Sequence, residues 1–334
     1  MLPSTISSLI GDDLAKVDQH LKSLLESDNP LISQIGNYIC QSGGKRVRPI
    51  LLLLSAQVAG HQTQQTEDYQ GQRERAVHLA SIIEFIHAAT LLHDDVIDNA
   101  SLRRGSPSAN KKWGNHLPVL VGDYLYAISF YLLVKDNDTR IMETVSKATA
   151  TVTDGEILQL QKCGDLGIRE EEYLEIIAKK TSCLMAASCR IGAILGGAQK
   201  EQVEALHDYG TDVGIAFQLV DDLLDYISRE EKLGKPVNND LQGGNCTLPL
   251  IRTLQVASLQ EIERIRQIMS QPILSPDDLA WIVSLIKRYG ADKFTLDRAA
   301  WYVQRAKERL AVFADSVYRK ALFDFSDYII KRDF

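Results

Sequence analysis

At 334 residues with 45% apolar side chains, the chain has ample material for a core, and no Pro/Gly/Ser-rich linker divides it, so it reads as one domain spanning 1–334. A net charge of −7 argues against a nucleic-acid partner. Cys40, Cys163, Cys183, Cys189 and Cys246 are scattered without a CxxC pair, which predicts reduced thiols and a cytoplasmic location rather than a disulfide framework.

The opening stretch, MLPSTISSLIGDDLAKVDQH, lacks the basic-then-apolar layout of a signal peptide. Residues 13–27 place Leu14, Val17, Leu21, Leu24 and Leu25 at helical spacing. The longest apolar stretch, around PILLLLSAQVAG, is about 12 residues, too short to span a bilayer, so no integral membrane segment is expected. Pro49 suits the first turn of a helix. Residues 60–75 are polar and read as a loop. Residues 76–98 are apolar on nearly every side (Leu79, Ile82, Ile83, Phe85, Ile86, Leu91, Leu92), which predicts a helix buried in a large core. Helical patterns continue over 119–134, 139–162, 170–195, 200–227, 247–270, 277–288 and 293–332, the last with an internal break. Gly196-Gly197 predicts a helix stop, and 228–246 a second polar loop. No alternating β-branched run requires a strand, so the fold class is all-α.

Two of these helices end in carboxylates. LLHDDVID sets Asp94 and Asp98 at i and i+4, about 6 Å apart on one face, and FQLVDDLLD repeats the spacing with Asp221 and Asp225. The middle residues, Asp95 and Asp222, point about 100° away. A DD pair at one helix end is commonly only a solvated terminus. Two copies, each after an apolar helix, instead call for a neutralising cation, since like charges on one face repel. Oxygen-only ligands suit Mg²⁺ or Mn²⁺. Neither motif has the alternating loop of an EF-hand.

Basic clusters match the acids. GGKRVRP carries Lys45 and Arg48 beside two glycines, Arg103 and Arg104 follow the first motif, AKKTS carries Lys179, Lys180 and Thr181, and Lys235 lies in the second polar loop. His87 precedes Asp94 by two turns and Gln218 precedes Asp221 by one. Each alone is an ordinary surface or core residue. Together they are the kit for holding diphosphate esters, with acids for Mg²⁺ and Arg or Lys for phosphate oxygens.

HDDVIDNASLRRG and FQLVDDLLDY closely resemble the two aspartate-rich motifs of the trans (head-to-tail) isoprenyl diphosphate synthases, and GGKRVRP, GDYLYA, KKTSCL, LGKPVNNDL and TLPLI resemble further family blocks in the same order. EFIHAATLLHDDVID is most similar to the long-chain, octaprenyl-type members. The resemblance implies the isoprenoid synthase fold, a helical bundle around a deep central cavity, and a homodimer. It implies Mg²⁺, three ions shared with substrate, held by Asp94 and Asp98 on one side and Asp221 on the other with Asp225 supporting. It assigns isopentenyl diphosphate to Lys45, Arg48, His87 and Arg104. An allylic diphosphate such as farnesyl diphosphate falls to Arg103, Lys180, Thr181, Gln218 and Lys235. Asp94, Asp98, Lys180 and Asp221 then serve catalysis. Two positions depart from the family pattern: Asn238 stands where a glycine is usual, and Asn245 where a lysine is common.

Product length is expected to follow from Ala89, five residues before Asp94, where short-chain members often carry an aromatic floor. Ala89, Ile86 and Ile82 lie on roughly one side of the helix, and residue 82 lies about 18 Å from residue 94 along it. Small residues near the top leave a channel for a product of thirty to fifty carbons, with Phe130 or Tyr131 as a deeper stop. A geranylgeranyl- or farnesyl-length synthase is the alternative. A class I terpene cyclase would make Lys45, Arg48 and Arg104 redundant, and a non-catalytic partner subunit would be expected to lose its acidic motifs.

Overall fold

The computed structural model describes residues 3–41, 44–61, 69–227, 239–271 and 273–331. The helices, in order, are α1 (Ser4–Leu24), α2 (Pro30–Gln41), α3 (Val47–Gly60), α4 (Tyr69–Ile97), α5 (Ala109–Trp113), α6 (His116–Asp136), α7 (Thr139–Lys162), α8 (Glu170–Ile177), α9 (Cys183–Leu195) and α10 (Lys200–Ile227). They are followed by α11 (Asn239–Gln242), α12 (Leu248–Val256), α13 (Leu259–Met269), α14 (Pro276–Arg288), α15 (Ala291–Arg309) and α16 (Val317–Ile330). A π-helical turn, Ala178–Ser182, joins α8 to α9.

The all-α class holds, with one small exception. β1 (Leu102–Arg103) and β2 (Ser106–Pro107) form a minimal antiparallel hairpin that periodicity did not predict. Its two central residues, Arg104 (φ 51°) and Gly105 (φ 79°), are both left-handed, the backbone of a tight two-residue turn. Other boundaries also shift. The first helix begins at Ser4, α2 forms where no helix was expected, and α4 starts at Tyr69, inside the segment read as loop. Residues 247–270 split into α12 and α13, because Ser258 and Glu261 form a capping box that starts a new helix. The last helix breaks at 310–316, as its pattern suggested. Most of the second polar loop lies outside the described residues.

The core is built around α3, α9, α10 and α15, with α9 packed on both α3 and α10, while α4 packs along α6. Ile82, Ile86, Ala89 and Leu92 of α4 are fully buried. That burial matches the all-round apolar pattern of the helix and sets its acidic end at the rim of the core.

Among the described residues two helices are long and apolar enough to cross a membrane: Gln70–Ile97, with mean hydropathy 1.4 and 72% of its apolar window buried, and His116–Asp136, with 1.7 and 33%. This corrects the estimate of about 12 residues as the longest apolar stretch, because both helices keep a high mean hydropathy across scattered polar residues. The first is a core helix. The second leaves much of its apolar surface open.

Candidate active site

The acidic end of α4 is organised by its middle aspartate. Asp95 is fully buried; Oδ1 accepts a 2.5 Å hydrogen bond from Arg103 Nε and Oδ2 accepts one of 3.3 Å from the Ala109 N–H. These bonds tie the hairpin and α5 to the helix end. Asp94 and Asp98 are left on the other face, Asp94 half-buried and Asp98 exposed. Burial pushes the Asp94 carboxyl up to about 7; Lys180 and Arg103 oppose this, while Glu156 and Asp98 add to it. Asp98 is raised too, by burial first and then by Glu156 and Asp95, against Lys180 and Arg103.

Opposite lies the π-turn between α8 and α9. It fits there because its neighbours lack side chains. A Cβ on Gly155 of α7 would stand 2.5 Å from the Lys180 backbone nitrogen, and one on Gly214 of α10 would stand 2.6 Å from Ser182 Cα. The extra residue of a π-turn re-aims the side chains around it. Lys180 turns inward, its Nζ 2.6 Å from Glu156 Oε2. Burial works against its charge, yet Asp94, Glu156 and Asp98 outweigh that and raise it above its ordinary value. Lys179 instead pairs with Asp154 at 2.9 Å and Glu175 at 2.7 Å, outside the site.

Thr181 reaches the second motif. Its hydroxyl donates to Gln218 Oε1 at 2.9 Å, and Gln218 Nε2 donates to Asp222 Oδ1 at 2.6 Å. The adjacent Lys180 and Thr181 thus join the two acidic motifs into one site. Asp221 is half-buried on the cleft side of α10. Asp225 differs: it is fully buried, and its Oδ2 accepts a 3.0 Å bond from the Asp240 N–H at the head of α11. Here Asp225 anchors the returning chain beneath Asp221.

The donor set suits a hard divalent cation. Asp94 is raised by burial, and neither oxygen of the buried Glu156 has a well-directed hydrogen bond among the described residues. Burial disfavours the Asp94 charge and Glu156 is already paired with Lys180, so a hard cation beside these oxygen ligands would offset the cost of keeping Asp94 ionised. Among the described residues no three His, Cys, Asp or Glu side chains form a closed metal cluster. Mg²⁺ needs none, since it usually takes one or two carboxylates and completes its shell with water and phosphate oxygens.

The basic side gathers beneath the hairpin. Arg46 has a left-handed backbone (φ 47°), and its guanidinium is held by Glu84 (2.8 Å), Asp18 (2.9 Å) and the Cys40 carbonyl (2.9 Å). That anchor turns the strand of chain bearing Lys45 and Arg48. Arg104 Nη1 lies 3.2 Å from where a Gly44 side chain would begin, so the GGKRVRP and RRG segments meet. Arg48 Nε is buried without a hydrogen-bond partner among the described residues. His87 is held well below its ordinary value by burial, then by Arg48, Arg104 and Arg103, so it is neutral at pH 7. Lys45 is exposed at the edge. Lys235 and Asn238 lie outside the described residues. Asn245 Oδ1 accepts from Gln159 Nε2 at 3.4 Å, an uncharged contact where the family commonly has a lysine.

Residues 29–286 match the model of the family described as Polyprenyl synthetase. The chain belongs to the polyprenyl synthetase family. Octaprenyl diphosphate synthase of Escherichia coli K12 is 37% identical over 332 residues, covering 98% of each chain. A short chain isoprenyl diphosphate synthase of Methanothermobacter thermautotrophicus is 35% identical over 95% of each. The crystal structure of a polyprenyl synthase from Caulobacter crescentus, complexed with calcium and isoprenyl diphosphate, superposes with a TM-score of 0.92 at 36% identity, covering 98% of this chain and 97% of that one.

As a polyprenyl synthetase, the protein is an all-α prenyltransferase of the isoprenoid synthase fold that elongates trans-prenyl chains from isopentenyl and allylic diphosphates. The family binds diphosphate through a divalent metal. Two carboxylates of the polyprenyl synthetase site had no motif to flag them. Glu156 pairs with Lys180 from the middle of α7, and Glu84 lies under Arg46, three residues before His87. A single Glu on a mixed helix reads as surface; Glu84, inside the apolar run 76–98, was the more detectable. Tyr131, one of the two deeper stops considered, is 55% exposed on the outer face of α6, which removes it from that role. Phe130 is half-buried against the core.

Proposed function

We propose that the protein condenses isopentenyl diphosphate onto an allylic starter such as farnesyl diphosphate, repeatedly, to give an all-trans polyprenyl diphosphate of thirty to fifty carbons, with Mg²⁺ as its metal. The observation that carries the site is the π-turn. It sets Lys180 against the first acidic motif and Thr181 against the second, as a leaving diphosphate held at both motifs requires.

Asp94 and Asp98 on one wall and Asp221 on the other would hold Mg²⁺, proposed as three ions, against the allylic diphosphate, with Asp225 supporting Asp221. When bound, Mg²⁺ supplies positive charge against the diphosphate oxygens. Lys180, Arg103 and Lys235 bind the same group and stabilise the charge that grows on it as the allylic C–O bond breaks. Lys45, Arg48, His87 and Arg104 hold isopentenyl diphosphate with its double bond toward the forming allylic cation. A new C–C bond forms, and a proton passes to the released diphosphate. The apolar face of α4 receives the tail and excludes water from the cation.

Relatives of similar identity carry both octaprenyl and short-chain names, so product length rests on residues. Ala89 and Ile86 are fully buried on α4, and Ala89 carries only a methyl group five residues before Asp94, where an aromatic ring would fill far more of the space a growing tail needs. The open apolar face of α6 supports a homodimer, and the protein is placed in the cytoplasm rather than within a membrane.

Product chain length tests the reading. Purified protein with farnesyl diphosphate, labelled isopentenyl diphosphate and Mg²⁺ is expected to yield a long polyprenol after dephosphorylation, and Asp94→Ala none. A twenty-carbon product would keep the chemistry and overturn the length assignment. No product with any starter would favour a partner-dependent subunit or a cyclase.

A further inference from the structure

Tyr173 belongs to none of the motifs, yet it ends a chain of hydrogen bonds that reaches the reaction cleft. Its hydroxyl donates to Asp222 Oδ2 at 2.6 Å, Asp222 Oδ1 accepts from Gln218 Nε2 at 2.6 Å, and Gln218 Oε1 accepts from the Thr181 hydroxyl at 2.9 Å. Tyr173 and Asp222 are both buried, at 3% and 6% exposure. Gln218 and Thr181 are half-buried, at the cleft.

The chemistry of the chain is directional. An ionised carboxylate only accepts hydrogen bonds. Asp222 therefore forces Gln218 to present its NH₂ group inward, and the carbonyl oxygen must face Thr181. An amide has no such preference by itself, because its two ends are nearly the same size. Tyr173 occupies the second carboxylate oxygen and holds the plane of Asp222.

We propose that Tyr173 is a positioning residue for prenyl transfer: it fixes the carboxylate plane of Asp222, and Asp222 in turn fixes the position of the Gln218 amide whose carbonyl faces Thr181 and the cleft. The proposal rests on the reading that Gln218 and Thr181 face the allylic substrate. A carbonyl on the cleft side is the negative end of a dipole. It favours the positive charge that develops on the allylic carbon and does little for the bound diphosphate, which is already anionic. Its orientation therefore matters more in the transition state than in the ground state, and the effect falls on kcat.

Tyr173→Phe keeps the ring and removes only the donor. The test is a steady-state comparison of wild type, Tyr173→Phe, Gln218→Ala and the double variant, with farnesyl diphosphate varied at saturating isopentenyl diphosphate and Mg²⁺. The expected result is a loss in kcat of about tenfold for Tyr173→Phe, the size of one hydrogen bond to a charged group, with KM for the allylic substrate within about twofold. The double variant should be no slower than Gln218→Ala alone, because the tyrosine then has no amide to orient. Wild-type kcat in Tyr173→Phe, or losses that multiply in the double variant, would overturn the proposal. A rise in KM together with a fall in melting temperature would mark a structural role and overturn it too. If Tyr173→Phe does not fold, Asp222→Ala is the substitute: it removes the acceptor that holds Gln218, and it should show a kcat loss at least as large and the same non-additivity with Gln218→Ala. A wild-type enzyme that forms no product would overturn the condensation reading itself, and this inference with it. An active wild type beside an unaffected Tyr173→Phe would overturn only the inference.

Discussion

Ala89, five residues before Asp94 on α4, is fully buried and carries only a methyl group. Ala89→Tyr would place a ring about 7.5 Å along the helix from Asp94 and should cut the product to about twenty carbons or fewer, with turnover retained. Chromatography of the dephosphorylated products checks this, and an unchanged length would remove Ala89 from the assignment. Away from the site, Glu261 accepts from the Tyr289 hydroxyl (2.6 Å), the Ser258 hydroxyl (2.8 Å) and the Ser258 N–H (3.0 Å), which together hold it down to about 2. A depressed carboxylate contributes stability that is complete above its unfolded value and is lost as pH falls toward its folded value. Glu261→Gln should therefore melt below wild type at pH 7. The gap should close on acidification from about 4.5, the ordinary glutamate range, to about 2. Melting curves across that range decide it, and a gap that does not change with pH would show that charge plays no part. Residues of this kind differ in legibility. Asp94 and Asp98 were visible because an i, i+4 pair at the end of an apolar helix is a local pattern. Asp225 shares the pattern but is buried under the Asp240 backbone, a contact made by chain that returns after the second polar loop.

Among the elements, the π-turn decides the most. Its sequence, AKKTS, reads as an unbroken stretch of the helix predicted over 170–195, and helical periodicity alone gives no reason to insert an extra residue. The reason lies in its neighbours, since Gly155 and Gly214 let α7 and α10 close on it from two sides. Gly155→Ala would drive a methyl group into the Lys180 backbone nitrogen. It should cost about 1–3 kcal/mol of stability, the usual penalty for overpacking. Activity should fall further, by about a hundredfold, because Lys180 would be displaced by a fraction of an ångström or more. Thermal melting and kcat measured on the same preparation separate the two effects, and wild-type turnover would show that the turn tolerates the shift. The hairpin was closer to legible: Arg104-Gly105 supplies the two left-handed residues of a tight turn, but two-residue strands are too short for periodicity to register.

For the molecule as a whole, the open surface of α6 and α7 is the main feature. Leu120 (62% exposed), Tyr131 (55%) and Val134 (58%) on α6, and Ile157 (50%) and Leu160 (53%) on α7, are large apolar side chains left to solvent in the single chain. Large apolar side chains exposed on these helices make them candidates for a surface that a partner covers. A second copy is the proposed cover, and sedimentation should show a dimer for wild type and a monomer for Leu120→Glu with Tyr131→Glu. A monomeric wild type would overturn it. The sequence by itself determined the all-α class, the two aspartate pairs and the basic clusters, because each is a short-range pattern set by helical spacing or by charge density. Tertiary structure alone decided that Glu156 faces Lys180, that Asp222 is buried against Tyr173, and that α6 leaves its apolar side open. Those depend on which helices lie against one another, and packing is settled by shape and by missing side chains such as Gly155 and Gly214, at separations along the chain that no local pattern records.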